Sequence, residues 1–423
     1  MGNKRLKVGI IGLGSRGLTY MRDEELFRDK LELVAIADVN PAKLRDFGER
    51  YSVPEEGRFL GDEALFAAKP KLDILFISTL DRFHFDEAMK AIELGYHIFM
   101  EKPAGIDMAQ CEILRKAAKA SDRLICVCHE LRYAPGYQFI KRMIDSGALG
   151  RIYTIQWMEQ ISYNHHAHSF IRGNCGRTVE SSPLFLQKCS HDMDLITWFT
   201  GRHAKKVTSF AELSEFRPEN APAGAPERCT DGCPAAETCP FDAVRQYFTE
   251  GVLAGKSGWP YEMVVPVDYN PQNMLSALVS GRYGRCVYRC GSDSVDHQIV
   301  DMELEDGILV NFTMSTFTAN NGRLIHIMGT RGDLICDMDG EQTITFRNWR
   351  GEKTVTRISD LTDDPAGHGG GDAALVRAFA EAVLTGAPDP NLPLLEDTLE
   401  SHYICLAAEE SRRNGGCPTM LSY

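Results

Sequence analysis

The chain has 423 residues, more than one hydrophobic core usually supports, so two domains are expected, each large enough to bury a core of its own. Its 46 Lys and Arg against 59 Asp and Glu leave a charge of −13, which argues against nucleic acid or an anionic membrane surface as the main partner and for a small molecule. Thirteen cysteines in a chain this long fit reduced thiols better than a disulfide framework, and no apolar run reaches the roughly 18 residues of a membrane span, so a cytoplasmic location is expected.

From Leu6 to about Cys128 short apolar runs ("KVGIIG", "LELVAIAD", "LDILFIST", "HIFME", "LICVCH") alternate with helix-like stretches such as "HFDEAMKAIELG". Continuous rather than alternating apolar strands imply a parallel sheet covered on both faces, so residues 1–128 read as a doubly wound α/β domain of the Rossmann type. The first turn carries "GLGSRG", with Gly12, Gly14 and Gly17 as GxGxxG and Leu13, Ser15 and Arg16 between them. Glycines there let the backbone turn tightly and approach a pyrophosphate at the start of a helix. The second strand ends in Asp38, 21 residues after Gly17, where a carboxylate accepts hydrogen bonds from an adenosine ribose. Strand, glycines, helix and acid together point to a bound dinucleotide, and the charge of Asp38 repels a 2′-phosphate, favouring NAD over NADP.

Ligands of such sheets bind at the carboxyl ends of the strands, which singles out "STLDRFH" (78–84), "MEKP" (100–103) and "CHELRY" (128–133). Lys102 falls at the rim where a nicotinamide would lie. Partly desolvated and near a cation, a lysine there suits the proton of a carbinol undergoing oxidation; otherwise it is a solvated strand end paired with Glu101.

These residues resemble the Gfo/Idh/MocA family of oxidoreductases, named for glucose-fructose oxidoreductase, inositol dehydrogenase and relatives. Its signature is similar to GxGxxG followed by Thr79 with His84 downstream and then Glu101-Lys102-Pro103. The resemblance implies that Lys102 contacts substrate and nicotinamide, and that Thr79, Leu80, His84 and Glu101 belong to the cofactor site. It also implies a second α/β domain whose open sheet mediates assembly, as a homodimer or homotetramer.

The grammar changes beyond a helical segment near 135–146. Strands with period-two alternation appear, as in "IVDMELEDGILVNFTM", where Asp306-Gly307 signals a hairpin. Residues 129–423 therefore read as an α+β domain with a mostly antiparallel sheet. Within it "SSPLFLQKCSHDMDLITWFTG" (181–201) is bounded like a capped helix and apolar on nearly all faces, so Lys188, His191 and Asp194 inside it need partners or a use. His191 is a candidate acid/base and Lys188 a candidate participant. The family's usual motif places an aspartate where Gln187 stands, so either Asp192 or Asp194 supplies the charge beside His191, or Lys188 joins the proton transfer. The preceding "YNHHAHSFIRGN" offers Tyr163, His168 and Arg172 as substrate contacts, with His368 in "GHGGGD" a weaker addition.

An excursion near 215–260, rich in Pro and Ala at its start, holds Cys229, Cys233 and Cys239 in "CTDGCPAAETC". Thiolates at such spacing suit structural zinc, with Cys189 as a fourth ligand, or are simply packed thiols. The expected function is hydride transfer between NAD and a sugar, sugar derivative or cyclitol. Alternatives are an NAD-dependent glycosidase acting through a transient keto-sugar and a non-catalytic NAD-binding regulator.

Overall fold

The computed structural model describes residues 5–362 and 370–422; His368 lies outside them. The first sheet contains β1 (Leu6–Ile11), β2 (Leu31–Asp38), β3 (Arg58–Leu60), β4 (Ile74–Ile77), β5 (His97–Met100) and β6 (Ile125–Val127). Their order is β3-β2-β1-β4-β5-β6 and every pair is parallel. β4 and β6 are buried along their whole length, which explains their unbroken apolar sequences. The three-residue edge strand β3 has no such signal, being only partly buried. The chain winds one way from β1 to β2 and the other way to β4, so a crevice opens between the carboxyl ends of β1 and β4.

The second sheet is assembled from β7 (Ile152–Ser162), β8 (Ala204–Glu212), β9 (His297–Leu304), β10 (Leu309–Thr318), β11 (Gly322–Gly329), β12 (Gly332–Asp337), β13 (Thr343–Asn348), β14 (Lys353–Arg357) and β15 (Thr419–Met420). Its order is β14-β13-β12-β11-β7-β10-β9-β8-β15, antiparallel except between β7 and β10. Asp306 and Gly307 turn β9 into β10 with positive φ at both residues, +57° and +75°, as the Asp-Gly pair requires. The helix Leu184–Thr200 packs on one face of this sheet, its Phe185 meeting Phe312 edge-on at 5.5 Å. Gly201, at φ +59°, ends that helix by donating its N–H to the Thr197 carbonyl.

Two helices late in the chain pack on the first domain, and the second of them also joins the core of the second domain through Ile404, Cys405, Ala407 and Ala408. Leu375, Val376 and Phe379 of Gly371–Thr385 pack with Tyr20 and Phe99, and Leu395, Leu399 and Tyr403 of Leu395–Arg413 pack with Ile98 and Leu114. Residues read as part of 129–423 thus complete the core of the first domain. The excursion between β8 and β9 occupies 213–296, longer than the expected 215–260, and carries only short helices and turns around two small apolar clusters.

Candidate active site

The phosphate-loop glycines do different jobs. A Cβ on Gly12, at φ +89°, would lie 2.5 Å from the Ser78 carbonyl oxygen, and one on Gly17 would lie 2.2 Å from the Gly12 oxygen. Those two positions let β1, β4 and the following helix, Ser15–Tyr20, approach each other. A Cβ on Gly14 would meet nothing within 4 Å, so the loop faces open space there. Asp38 sits at the end of β2 with one carboxylate oxygen accepting from Leu13 N–H and the other from Asn40 N–H, both at 2.8 Å. Glycine-lined space beside an anchored carboxylate fits a dinucleotide: Gly12 to Gly17 would hold its phosphates and Asp38 its ribose.

The other residues assigned to this site differ in how far they face solvent. Thr79 and Leu80 are partly exposed at the end of β4. Thr79 donates to Glu87 at 2.6 Å, and burial pushes the Glu87 carboxyl up to about 8. His84 is buried, its ring nitrogens against the carbonyls of Pro103 (2.7 Å) and Thr79 (3.1 Å), so it ties the loop after β4 to the loop after β5. Glu101 forms its ion pair with Arg16. It is buried and bound by the Arg16 guanidinium and the Tyr20 hydroxyl; burial pushes its carboxyl up, but Arg16 and Lys102 hold it below the usual range. Arg16 also reaches Asp372 (2.7 Å) and Cys128 (3.3 Å). Cys128, Glu130 and Asp372 are the only group of metal-ligand types within 4.8 Å of one another among the described residues, and the guanidinium of Arg16 supplies a cation to it.

Lys102 reaches across from the β5 rim and donates to the carbonyl of Gln187 in the first turn of Leu184–Thr200. One turn further along that helix stands His191, with Nε2 3.8 Å from Glu130 and its ring edge-on to His129 at 5.3 Å. The carboxylate beside His191 is therefore Glu130, not Asp192 or Asp194. Asp194 is held by a bidentate pair with Arg132 (2.6 and 2.8 Å) and by Thr398, and Asp192 by Arg323 (2.6 Å) and Trp157. Gln187 turns its amide nitrogen to Ser181 and Ser182, each at 2.8 Å, rather than to the histidine. Lys188 pairs with Glu159 at 3.1 Å, and Glu159 also meets Arg323 at 3.0 Å. Burial pushes the Glu159 carboxyl up, against the pull of these two cations.

Glu130 was within the strand end "CHELRY" singled out from sequence, but nothing marked it as the partner of His191. Glu159 and Arg323 come from β7 and β11, and their ladder positions alone do not reveal that they meet a helix.

The histidine-rich segment is helical, Tyr163–His165 running into a wider turn over His166–Arg172, and is more buried than its polarity suggests. His168, 2% exposed, bonds Tyr247 at 2.8 Å and stacks on Tyr283. Arg172, also 2% exposed, donates to the carbonyls of Arg285 (2.8 Å) and Phe241 (2.6 Å). Both join this helical segment to the excursion; Tyr163 alone of the three expected contacts is partly exposed, beside Phe241. Cys189 lies in the core under the second sheet, whereas Cys229, Cys233 and Cys239 line a cavity within the excursion.

Comparison with known proteins places this architecture. Residues 6–129 match the family model described as an oxidoreductase family with an NAD-binding Rossmann fold, and residues 141–421 match that family's C-terminal alpha/beta domain. The chain is 24% identical to "Putative oxidoreductase YteT" of Bacillus subtilis (strain 168), over 86% of each chain. It is 23% identical to the inositol 2-dehydrogenase/D-chiro-inositol 3-dehydrogenase of Lactiplantibacillus plantarum, over 51% of this chain and 58% of that one. Thus it spans little more than half of that second relative. The structure of scyllo-inositol dehydrogenase from Lactobacillus casei superposes with a TM-score of 0.66 at 20% identity, over 99% of both chains, and so shares the fold. Together, the two matched domains make this chain a member of the Gfo/Idh/MocA oxidoreductase family.

Proposed function

We propose that the protein is an NAD-dependent dehydrogenase that oxidises a CH–OH group of a sugar, sugar derivative or cyclitol. The observation that carries this reading is the hydrogen bond from Lys102 to the Gln187 carbonyl: it sets an ammonium group from the nucleotide-binding sheet one helical turn from His191 and its neighbour Glu130. The nicotinamide, when bound, supplies the hydride acceptor. Lys102 donates to the substrate hydroxyl and orients it, the neutral imidazole of His191 takes its proton, and the carboxylate of Glu130 stabilises the imidazolium that forms. Lys188, held by Glu159, contributes a further donor to a polyol, and Tyr163 borders the approach. Polyhydroxylated substrates suit a wall of fixed donors and acceptors because each hydroxyl can do both.

Asp38 favours NAD over NADP by charge. The uncovered face of the second sheet presents Phe210, Ile299, Leu309 and Leu324, which supports a homodimer or homotetramer joined through that face.

The test is incubation of the protein with NAD or NADP and a panel of free sugars, cyclitols and aryl glycosides, following both NADH absorbance and aglycone release. NAD-dependent absorbance with a free sugar or cyclitol is expected. Aglycone release without net NADH would assign the transient keto-sugar route instead, and NAD binding without turnover on any substrate would leave a non-catalytic regulator.

A further inference from the structure

Four cysteines from two separate stretches, Cys229, Cys233, Cys239 and Cys286, line one small cavity together with Arg172, Phe241, Asp242 and Tyr288. It has room for about one water-sized sphere, ≈10 Å³, the space of a single ion rather than of a multinuclear cluster. The second observation is Arg172. Its Nε and Nη2 are used by the carbonyls of Arg285 and Phe241, Nη2 lies 3.6 Å from Cys229 Sγ, and Nη1 is buried with no partner. The ionisable groups that favour its charge most are Tyr247 and the thiols of Cys229, Cys290 and Cys286. Asp242, in the same wall, accepts from Arg245 N–H. A guanidinium buried this deeply beside neutral thiols is an uncompensated charge, which is costly; beside thiolates it is paired.

We propose that Cys229, Cys233, Cys239 and Cys286 bind one zinc ion in a tetrahedral four-sulfur site, with Arg172 as its buried counter-charge. Four thiolates around a divalent ion carry a net charge of −2, which Arg172 half neutralises, and the four displaced thiol protons pass to solvent. No three of these sulfurs lie within 4.8 Å of one another, and zinc would draw them to about 3.8 Å by side-chain rotation. Cys290 is not a ligand, since its thiol bonds the Cys286 carbonyl at 3.3 Å and does not line the cavity. Cys189, the fourth ligand expected from sequence, packs in a different core. The ion would staple the start of the excursion to its end, and both to the helical segment that carries Arg172.

Metal analysis of the purified full-length protein after a chelator wash should give near one equivalent of zinc per chain. Cobalt in its place should show the visible bands of a tetrahedral four-sulfur site. Ser at any of the four cysteines should reduce the metal to near none and open the 213–296 excursion to protease, whereas Cys290→Ser and Cys189→Ser should retain it. Arg172→Gln should hasten loss to chelator. Metal-free native protein with a protease-resistant excursion overturns the proposal, as does full zinc retention in Cys286→Ser. Acid-labile sulfide with iron would assign a cluster instead of a single ion and overturn it equally.

Discussion

The parallel sheet and the excursion at 213–296 solve the same problem, pairing buried backbone groups, by different means. In the sheet, β1 through β6 satisfy each other's amides and carbonyls through the ladder, and apolar side chains fill both faces. The excursion has only one isolated bridge, between Arg228 and Arg285; short helices and turns pair much of its backbone, and arginine side chains add donors. Arg172 serves the Arg285 and Phe241 carbonyls, Arg228 those of Leu278 and Gly281, Arg245 those of Glu237 and Cys239, and Arg289 that of Ala225. A ladder keeps its form when one side chain changes, whereas a loop wall held by guanidinium forks depends on each fork. The first region can therefore lend single residues to chemistry, and the second cannot lose single residues without local opening.

The largest effect expected from this contrast is in the sheet. Lys102→Met should leave folding and NAD binding near normal while turnover falls by roughly 10² to 10⁴-fold, the worth of a positioned acid/base. Steady-state kinetics beside an NAD titration measure it, and near-normal turnover would remove Lys102 from the chemistry. In the excursion the effect should be on structure. Arg228→Met leaves the Leu278 and Gly281 carbonyls without these donors, at a cost of about 1 to 3 kcal/mol. Hydrogen exchange should show opening confined to 213–296 with β1 to β6 still protected, and uniform loss of protection would contradict the division between the regions.

A third effect concerns a buried carboxyl inside the first domain. Burial raises the Glu87 carboxyl from 4.5 to about 8, so the folded state holds this proton more tightly than the unfolded chain does. Its stabilising contribution is complete below about pH 4.5 and is lost as pH rises toward 8, with a slope of at most about 1.4 kcal/mol per pH unit. Glu87→Gln should flatten that part of the stability profile. Parallel denaturation curves of the two proteins at pH 5, 6, 7 and 8 would argue against it.

Much of this molecule is legible along the chain because its signals are local. Apolar runs mark β1, β2, β4, β5 and β6, Asp306-Gly307 marks a hairpin, and Gly201 marks a helix end. The end of Leu184–Thr200 follows from Gly201, but its start is not capped by the serines before it: Pro183 stands at the N-cap and Ser181 and Ser182 donate to Asp81. The phosphate loop is legible for the same reason, since a backbone that must pass within contact distance of Ser78 can carry only glycine at position 12.

What the tertiary structure alone decided is which charges meet. His191 could be expected to need a carboxylate, but Glu130 comes from the loop after β6, sixty-one residues earlier, while the nearer Asp192 and Asp194 are taken by Arg323 and Arg132. Arg172 looked like a polar loop residue open to substrate and is a buried cation among thiols, and the fourth cysteine around that cavity is Cys286 rather than Cys189. Patterns of period two or 3.6 record the face on which a residue lies, because the backbone repeats at those intervals. Pairing between distant ionisable groups has no period; it depends on how two domains and one long excursion pack against each other.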